Sequence, residues 1–411
     1  MAPVRCDLSS AFVDDRRMPL TAKARKVLER LCRTRADLLS TVILLELECH
    51  RGCGGTAIPF KHVWSLRTRR VSIGGMGTMK RREFVCRLSL AAAAMAGCAS
   101  AVGQDRPARR VRFGLIADIH QDVMPDGLDR VGAFGRAMQE AKADFILQLG
   151  DFCVPAPRNQ PFLDAWNRFD GPRFHVLGNH DMDGGYTREQ SADFFGMAHK
   201  HYAFSAGPVR GIVLDGNEPG GKAGGYKRFL GAEQLAWLRQ ELAHADRPAL
   251  VFIHQAIDAG HEGCLENSAA VRGVLEEAER ARPGSVVAVF SGHVHLDDTR
   301  VVNGIRYVQI NSASYWWLNS PAARRETYPP EVHKAHPYLT HVAAYRDPLW
   351  ALVTLDFERA ELLIQGRRSQ WVGPDPWARG EQAPWTRDQL HPAIWDRRLP
   401  CISGLSSGRS R

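Results

Sequence analysis

The chain has 411 residues, enough for two average domains or one large α/β domain with a sizeable core. Its formal charge of +9 is unevenly carried: eighteen Lys/Arg stand against eight Asp/Glu in residues 1–98, and thirty-six against thirty-seven afterwards. A polyanion-binding protein is therefore disfavoured, because the stretch that carries the chemistry has no basic excess. The nine cysteines are too sparse for a disulfide framework, and Cys49 with Cys53 lacks a second Cys/His pair at zinc-finger spacing.

Residues 1–78 show no organised pattern beyond a basic helix near 21–38, and are read either as disordered or as outside the native product through a misassigned start. Residues 79–101, MKRREFVCRLSLAAAAMAGCASA, have a basic start, an apolar run from Leu88 to Gly97 and then small residues, the layout of an export signal. Arg81-Arg82-Glu83-Phe84 resembles the twin-arginine motif, and Met95-Ala96-Gly97-Cys98 resembles a lipobox with Met where Leu is preferred. On the lipobox reading Cys98 is lipidated and anchors the protein on the outer side of the cytoplasmic membrane. Cleavage at Ala99-Ser100-Ala101 would instead release it into the periplasm. The apolar run is too short to span a bilayer, which takes ~20 residues. An export signal stands at the N-terminus, so translation is expected to start at Met79 or Met76.

From residue 111 short β-branched or aromatic runs alternate with helical stretches, the pattern of an α/β domain. Strands are expected at Val111 to Ala117, Phe145 to Leu149, Phe174 to Leu177, Gly211 to Leu214, Leu250 to Ile253, Val286 to Phe290, Tyr307 to Ile310 and Ala351 to Phe357. Helices are expected over 129–142, 187–195, 232–244 and 267–281. The domain is placed at 111–365, with an aromatic lid over 311–348 and a C-terminal extension over 366–411 that frays from about residue 399.

Five of these strands run into polar clusters: Asp118-Ile119-His120, Gly150-Asp151, Gly178-Asn179-His180-Asp181, His254-Gln255 and Gly292-His293-Val294-His295. Open α/β sheets bind ligands beyond the carboxyl ends of their strands, so the clusters are expected to converge on one crevice. Side chains two residues apart at a strand end point the same way, which lets Asp118 and His120, or His293 and His295, serve one ion. Asp151 has two oxygens and can bridge two cations, Asn179 supplies a neutral amide oxygen, and His254 ends an apolar strand where an unpaired imidazole is costly. A mixed nitrogen and oxygen set suits zinc, manganese or iron.

The order D-x-H, GD, GNHD, H, GHxH resembles the calcineurin-like metallophosphoesterase superfamily over residues 111–310. The resemblance implies two mixed β-sheets packed as a sandwich and flanked by helices. It implies one metal on Asp118, His120, Asp151 and His295, a second on Asp151, Asn179, His254 and His293, and hydrolysis of phosphate esters by a bridging hydroxide. It gives His180 contact with the phosphate and protonation of the leaving oxygen, with Asp181 orienting its ring. His336, Tyr338 and Arg346 in the lid are candidates for substrate contact, at positions the family pattern does not specify.

The expected partner is a small phosphate mono- or diester, and no nucleic acid. Two other functions compete. A weakly catalytic metal scaffold should have lost some of the ligands, and an exported nuclease should carry clustered Lys/Arg and bind with strong salt dependence.

Overall fold

The computed structural model describes residues 110–258, 263–382 and 384–401, together with four strands before residue 73. The chain divides into two units, Met1–Gly103 and Gln104–Arg411. In the first, β1 (Ser10–Val13) pairs antiparallel with β2 (Arg16–Pro19), and β3 (Thr41–His50) with β4 (Val63–Ser72). The sequence reading anticipated none of these strands. The helix expected near 21–38, the export signal of 79–101 and Cys98 lie outside the described residues.

The second unit holds two six-stranded mixed sheets. In one, β5 (Arg110–Ile116), β6 (Phe145–Gln148) and β7 (Arg173–His175) run parallel. Antiparallel strands β16 (Ala351–Asp356), β17 (Glu361–Gln365) and β18 (Arg397–Pro400) extend it from β5 to give the order β18-β17-β16-β5-β6-β7. The other sheet contains β8 (Tyr202–Ala206), β9 (Val209–Val213), β10 (Ala249–Phe252), β11 (Val286–Ser291), β12 (Asp298–Val302) and β13 (Ile305–Gln309). Its order is β12-β13-β11-β10-β9-β8, parallel in the middle and antiparallel at both edges.

The two-residue period of a strand sorts these side chains into layers. Phe113, Leu115, Phe145 and Leu147 meet Leu250, Phe252 and Phe290 between the sheets, where the Phe113 ring lies edge-on to Phe252 and Phe290 at 6.0 and 5.8 Å. The intervening residues face helices. Ile116 and Ile146 pack under α1 (Gly127–Glu140) and α2 (Gln160–Trp166), and Val251 and Val289 under α4 (Ala232–His244) and α5 (Ser268–Ala281), leaving α3 (Arg188–Phe194) beside the crevice loops. Burial on both faces explains why the parallel strands read as continuous apolar runs. At Gly114 a Cβ would stand 2.4 Å from Met138 Sδ, so a larger residue there would push the Met138 side chain of α1 out of its present packing.

Two expectations about the C-terminal third need correction. The stretch 366–401 is built into the domain: β18 completes a sheet, and Leu390, Ala393, Ile394 and Cys401 are buried. The segment 311–348 is a packed structure with a hairpin of β14 (Tyr315–Trp317) and β15 (Val342–Ala344) and a short helix α6 (Pro330–Ala335), and its Tyr315 and Tyr345 are fully buried. Aromatic side chains there supply core rather than a cover. Among the described residues no helix is long and apolar enough to cross a membrane.

Candidate metal centre

The site stands where β5, β6 and β7 of one sheet and β10 and β11 of the other end. Asp118, His120, Asp151, His293 and His295 all turn into the left-handed backbone region, with φ of 52°, 50°, 53°, 70° and 56°. Such conformations cost about 1–3 kcal/mol each in non-glycine residues and persist only where the surroundings impose them. The impositions are identifiable. Asp118 N–H donates to Gly150 O at 3.0 Å, His120 N–H to Asp151 O at 3.0 Å, and His293 N–H to the Asp118 carboxylate at 3.0 Å. Loops from both sheets thereby lock one another. Close approach needs glycine at two places: a Cβ on Gly178 would lie 2.0 Å from Asp151 N, and one on Gly292 would lie 2.5 Å from Asp118 Oδ2.

Six of the seven expected ligands fall into two clusters, Asp118/His120/His295 and Asp151/His254/His293, each with one ligand atom per residue within 4.8 Å of the others. Asn179, the seventh, places Oδ1 3.0 Å from His254 Nε2. Asp151 Oδ2 is 3.2 Å from His254 Nε2 and 3.6 Å from His120 Nε2, so it reaches both clusters. Asp118, His120, Asp151, Asn179, His254 and His295 are all at most 4% exposed.

The donor chemistry fits cations. Carbonyl oxygens only accept, so His254 Nδ1 must donate to Leu149 O at 2.8 Å and His295 Nδ1 to Tyr315 O at 2.6 Å. Each ring then turns Nε2 inward, the arrangement that orients ligating histidines. His295 Nε2 lies 3.3 Å from His120 Nε2 and 3.3 Å from Asp118 Oδ1. Around His254 Nε2 gather Asn179 Oδ1, Asp151 Oδ2 and, at 3.1 Å, His293 Nδ1. Lone pairs brought this close repel unless protons or cations lie between them.

Protons alone meet the need only partly. Burial drives His120 well below its ordinary pKa, and burial with the neighbouring His254 takes His293 down to about 3. Burial also opposes charge on His254, but Asp151 overrides it and lifts that ring to about 9. Burial likewise opposes charge on Asp151, yet His254 and His180 hold its carboxyl well below the usual range. A cation at this cluster therefore displaces a proton from His254.

Beside the clusters opens a cleft of about 670 Å³ with His120, Asp151 and His180 among its lining, together with Arg158, Tyr186, Tyr226, Trp317 and Tyr338. Of the proposed substrate contacts only Tyr338 lines it. His336 ends α6, and Arg346 is exposed with its N–H on Gln370 O, so both are set apart from the cleft. His333, in the same stretch, is buried and its Nε2 accepts from Thr327 and Tyr328 N–H.

The orienting role given to Asp181 is also corrected. Its carboxylate is fully buried and accepts from Phe152, Cys153 and Gly178 N–H at 2.7, 3.1 and 2.7 Å, pinning the two ligand loops together. Asp183 instead meets the His180 ring, Oδ2 to Nδ1 at 2.6 Å. Burial opposes charge on His180, but Asp151 and this bond raise its pKa above the ordinary value. The sequence reading also missed Ser312 and Ser314, whose hydroxyls donate to Asp118 O and Ile119 O at 2.8 Å. Their signal was present: Asn311-Ser312-Ala313-Ser314 follows a buried strand directly, as the ligand clusters do.

Among solved structures the fold resembles a dimetal phosphatase from Danio rerio, at 17% identity over 62% of this chain and 96% of that one, with a TM-score of 0.44. GAP50, the anchor in the inner membrane complex of Plasmodium, is 13% identical over 64% and 85%, with a TM-score of 0.40. PhoD is 13% identical over 64% and 67%, also with a TM-score of 0.40. All three likenesses are distant, and comparison with curated proteins finds no match. Residues 111–297, which contain all seven expected ligands, match the calcineurin-like phosphoesterase family, so this stretch is a calcineurin-like phosphoesterase domain.

Proposed function

We propose that the chain hydrolyses phosphate mono- or diesters at a two-metal site on Asp118, His120, Asp151, Asn179, His254, His293 and His295. The observation that carries this reading is the convergence of six of these side chains into two clusters, both within reach of Asp151, with Asn179 beside His254. A pair of divalent cations bound there supplies charge to stabilise the phosphoryl oxygens and lowers the pKa of water. The mixed nitrogen and oxygen ligands favour manganese, iron or zinc.

The chain's own groups complete the chemistry. His180 faces the cleft beside His120, with ring centroids 5.1 Å apart, and it gives a proton to the leaving oxygen as that oxygen's bond to phosphorus breaks. Oxygen from water joins phosphorus, and the proton that this water sheds is relayed through solvent to His180, restoring the ring. Tyr226 and Tyr338, exposed at 47% and 60%, stand at the cleft beside Trp317 and offer apolar surface to the organic part of a small ester.

Turnover of p-nitrophenyl phosphate against bis-p-nitrophenyl phosphate with added manganese tests the reading and separates mono- from diesterase. Binding of manganese with neither ester cleaved would favour the scaffold instead. Export to the periplasm, or attachment there through a lipid on Cys98, remains our proposal from the sequence of residues 79–101.

A further inference from the structure

His180 opens a single 3-10 turn, His180–Met182. In that geometry residues three apart eclipse one another, whereas immediate neighbours diverge. Asp181 accordingly points into the protein, where backbone N–H groups occupy its carboxylate. Asp183, three residues on, lies over the imidazole. Its Oδ2 is 2.6 Å from His180 Nδ1, and its Oδ1 accepts from the Tyr226 hydroxyl at 2.7 Å. Tyr226 Oη is 3.1 Å from the same Nδ1, and the two ring centroids are 4.6 Å apart. On the His180 ring Trp317 also stacks, at 5.8 Å and 24°.

A carboxylate can only accept, so the proton shared with Asp183 belongs to Nδ1, and Nε2 is the nitrogen left for the cleft. Rotation of the ring would break the bonds to Asp183 and Tyr226 together. Tyr226 comes from the glycine-rich loop after β9, which Glu266 holds from a separate loop by accepting Ala223 N–H at 3.0 Å. Two segments distant in sequence thus converge on one imidazole.

We propose that Asp183 and Tyr226 are a positioning pair that fixes His180 in the tautomer and orientation presenting Nε2 to the leaving oxygen of the substrate. The inference rests on the hydrolase reading above. Neither residue touches the reacting atoms; the effect of both on proton transfer runs through His180, whatever apolar contact the Tyr226 ring makes with the rest of the ester.

The test uses the full chain loaded with manganese, as wild type, Asp183→Asn, Asp183→Glu, Tyr226→Phe and His180→Ala. Two esters are compared: p-nitrophenyl phosphate, whose leaving group departs without a proton, and glycerol 2-phosphate, whose alkoxide needs one. Asp183→Asn is expected to lower kcat on the alkyl ester about a hundredfold, with less than about a threefold loss on the aryl ester. KM and manganese content should hold, and Asp183→Glu should recover part of the loss. Tyr226→Phe should lose about three- to tenfold on the alkyl ester, the scale of one hydrogen bond. His180→Ala should retain its metals and show the same substrate bias, at least as strongly as Asp183→Asn.

Independently of turnover, proton NMR of histidine labelled with nitrogen-15 should show a downfield Nδ1–H for His180 in the wild type that Asp183→Asn abolishes. An unchanged ring signal in Asp183→Asn, or an equal fall on both esters with manganese lost, would overturn the inference while wild-type activity kept the hydrolase reading intact. If the wild type cleaves only diesters, bis-p-nitrophenyl phosphate and an alkyl phosphodiester take the place of the aryl and alkyl monoesters with the same expected bias; wild-type protein that cleaves none of the four would overturn the hydrolase reading and, with it, the pair's role.

Discussion

The two ligand clusters use the same residue types but are braced from different parts of the chain. Asp151, His254 and His293 are held from within the parallel strands and their own loops: Leu149 O receives His254 Nδ1–H, His180 N–H donates to Asp151 Oδ1 at 2.8 Å, and Gly292 N–H donates to His254 O at 3.0 Å. Asp118, His120 and His295 lean on residues that follow the ligands. Ser312 and Ser314 hold the Asp118-Ile119 carbonyls, Tyr315 O takes the His295 ring, and Asp297 is clamped by Arg397 at 2.6 and 2.8 Å. Both clusters are thus held at the strand ends, but Asp118, His120 and His295 draw additional support from residues later in the chain, Arg397 among them.

The comparison can be broken at its shared member first. Asp151→Asn should empty both positions and reduce turnover to background; metal analysis that found one tightly held cation in this variant would show the clusters to be independent of the bridge. Arg397→Met should separate them. It leaves Asp297 buried without its partner, at a stability cost of about 3–5 kcal/mol. Through the loop of His295 it should weaken one cation position about tenfold relative to the other. Stepwise manganese titration by calorimetry checks this, and equal weakening of both steps would refute the division. The smallest effect belongs to a residue outside both braces. Thr187 caps α3 in a capping box with Gln190, so Thr187→Ala should lower unfolding stability by about 1 kcal/mol with kcat and metal affinity unchanged. Denaturant unfolding and phosphate release measured together would show any departure.

How much of this was legible in the sequence follows from what is local. The strands from Val111, Phe145, Leu250 and Val286 could be read within about two residues because each is an apolar run ended by a polar cluster, and the ligands sit in those clusters. Strands such as β12, DTRVV, and β18, RRLP, are half-exposed edge elements whose charged residues hide any alternation, and their pairing partners define them. The mistaken partner of His180 has a similar cause. Sequence adjacency favoured Asp181, but side-chain direction on a tight turn favours Asp183, and direction appears only once the turn type is known. Tyr226 lies among glycines with no periodicity, so only its place in space reveals it. The aromatic density of 311–348 suggested a cover, yet Tyr315 and Tyr345 spend it on packing, and Trp317 and Tyr338 alone from that stretch reach the cleft.

The clamp between Asp297 and Arg397 spans 100 residues of chain. During synthesis every ligand has left the ribosome once His295 is clear, but the brace for the first cluster has not yet been made. A nascent chain stalled between these two points carries a complete ligand inventory and an incompletely supported site. Loading of that cluster is consequently expected to wait for the clamp, and a chain truncated just before residue 397 should take up a cation at Asp151, His254 and His293 more readily than at Asp118, His120 and His295.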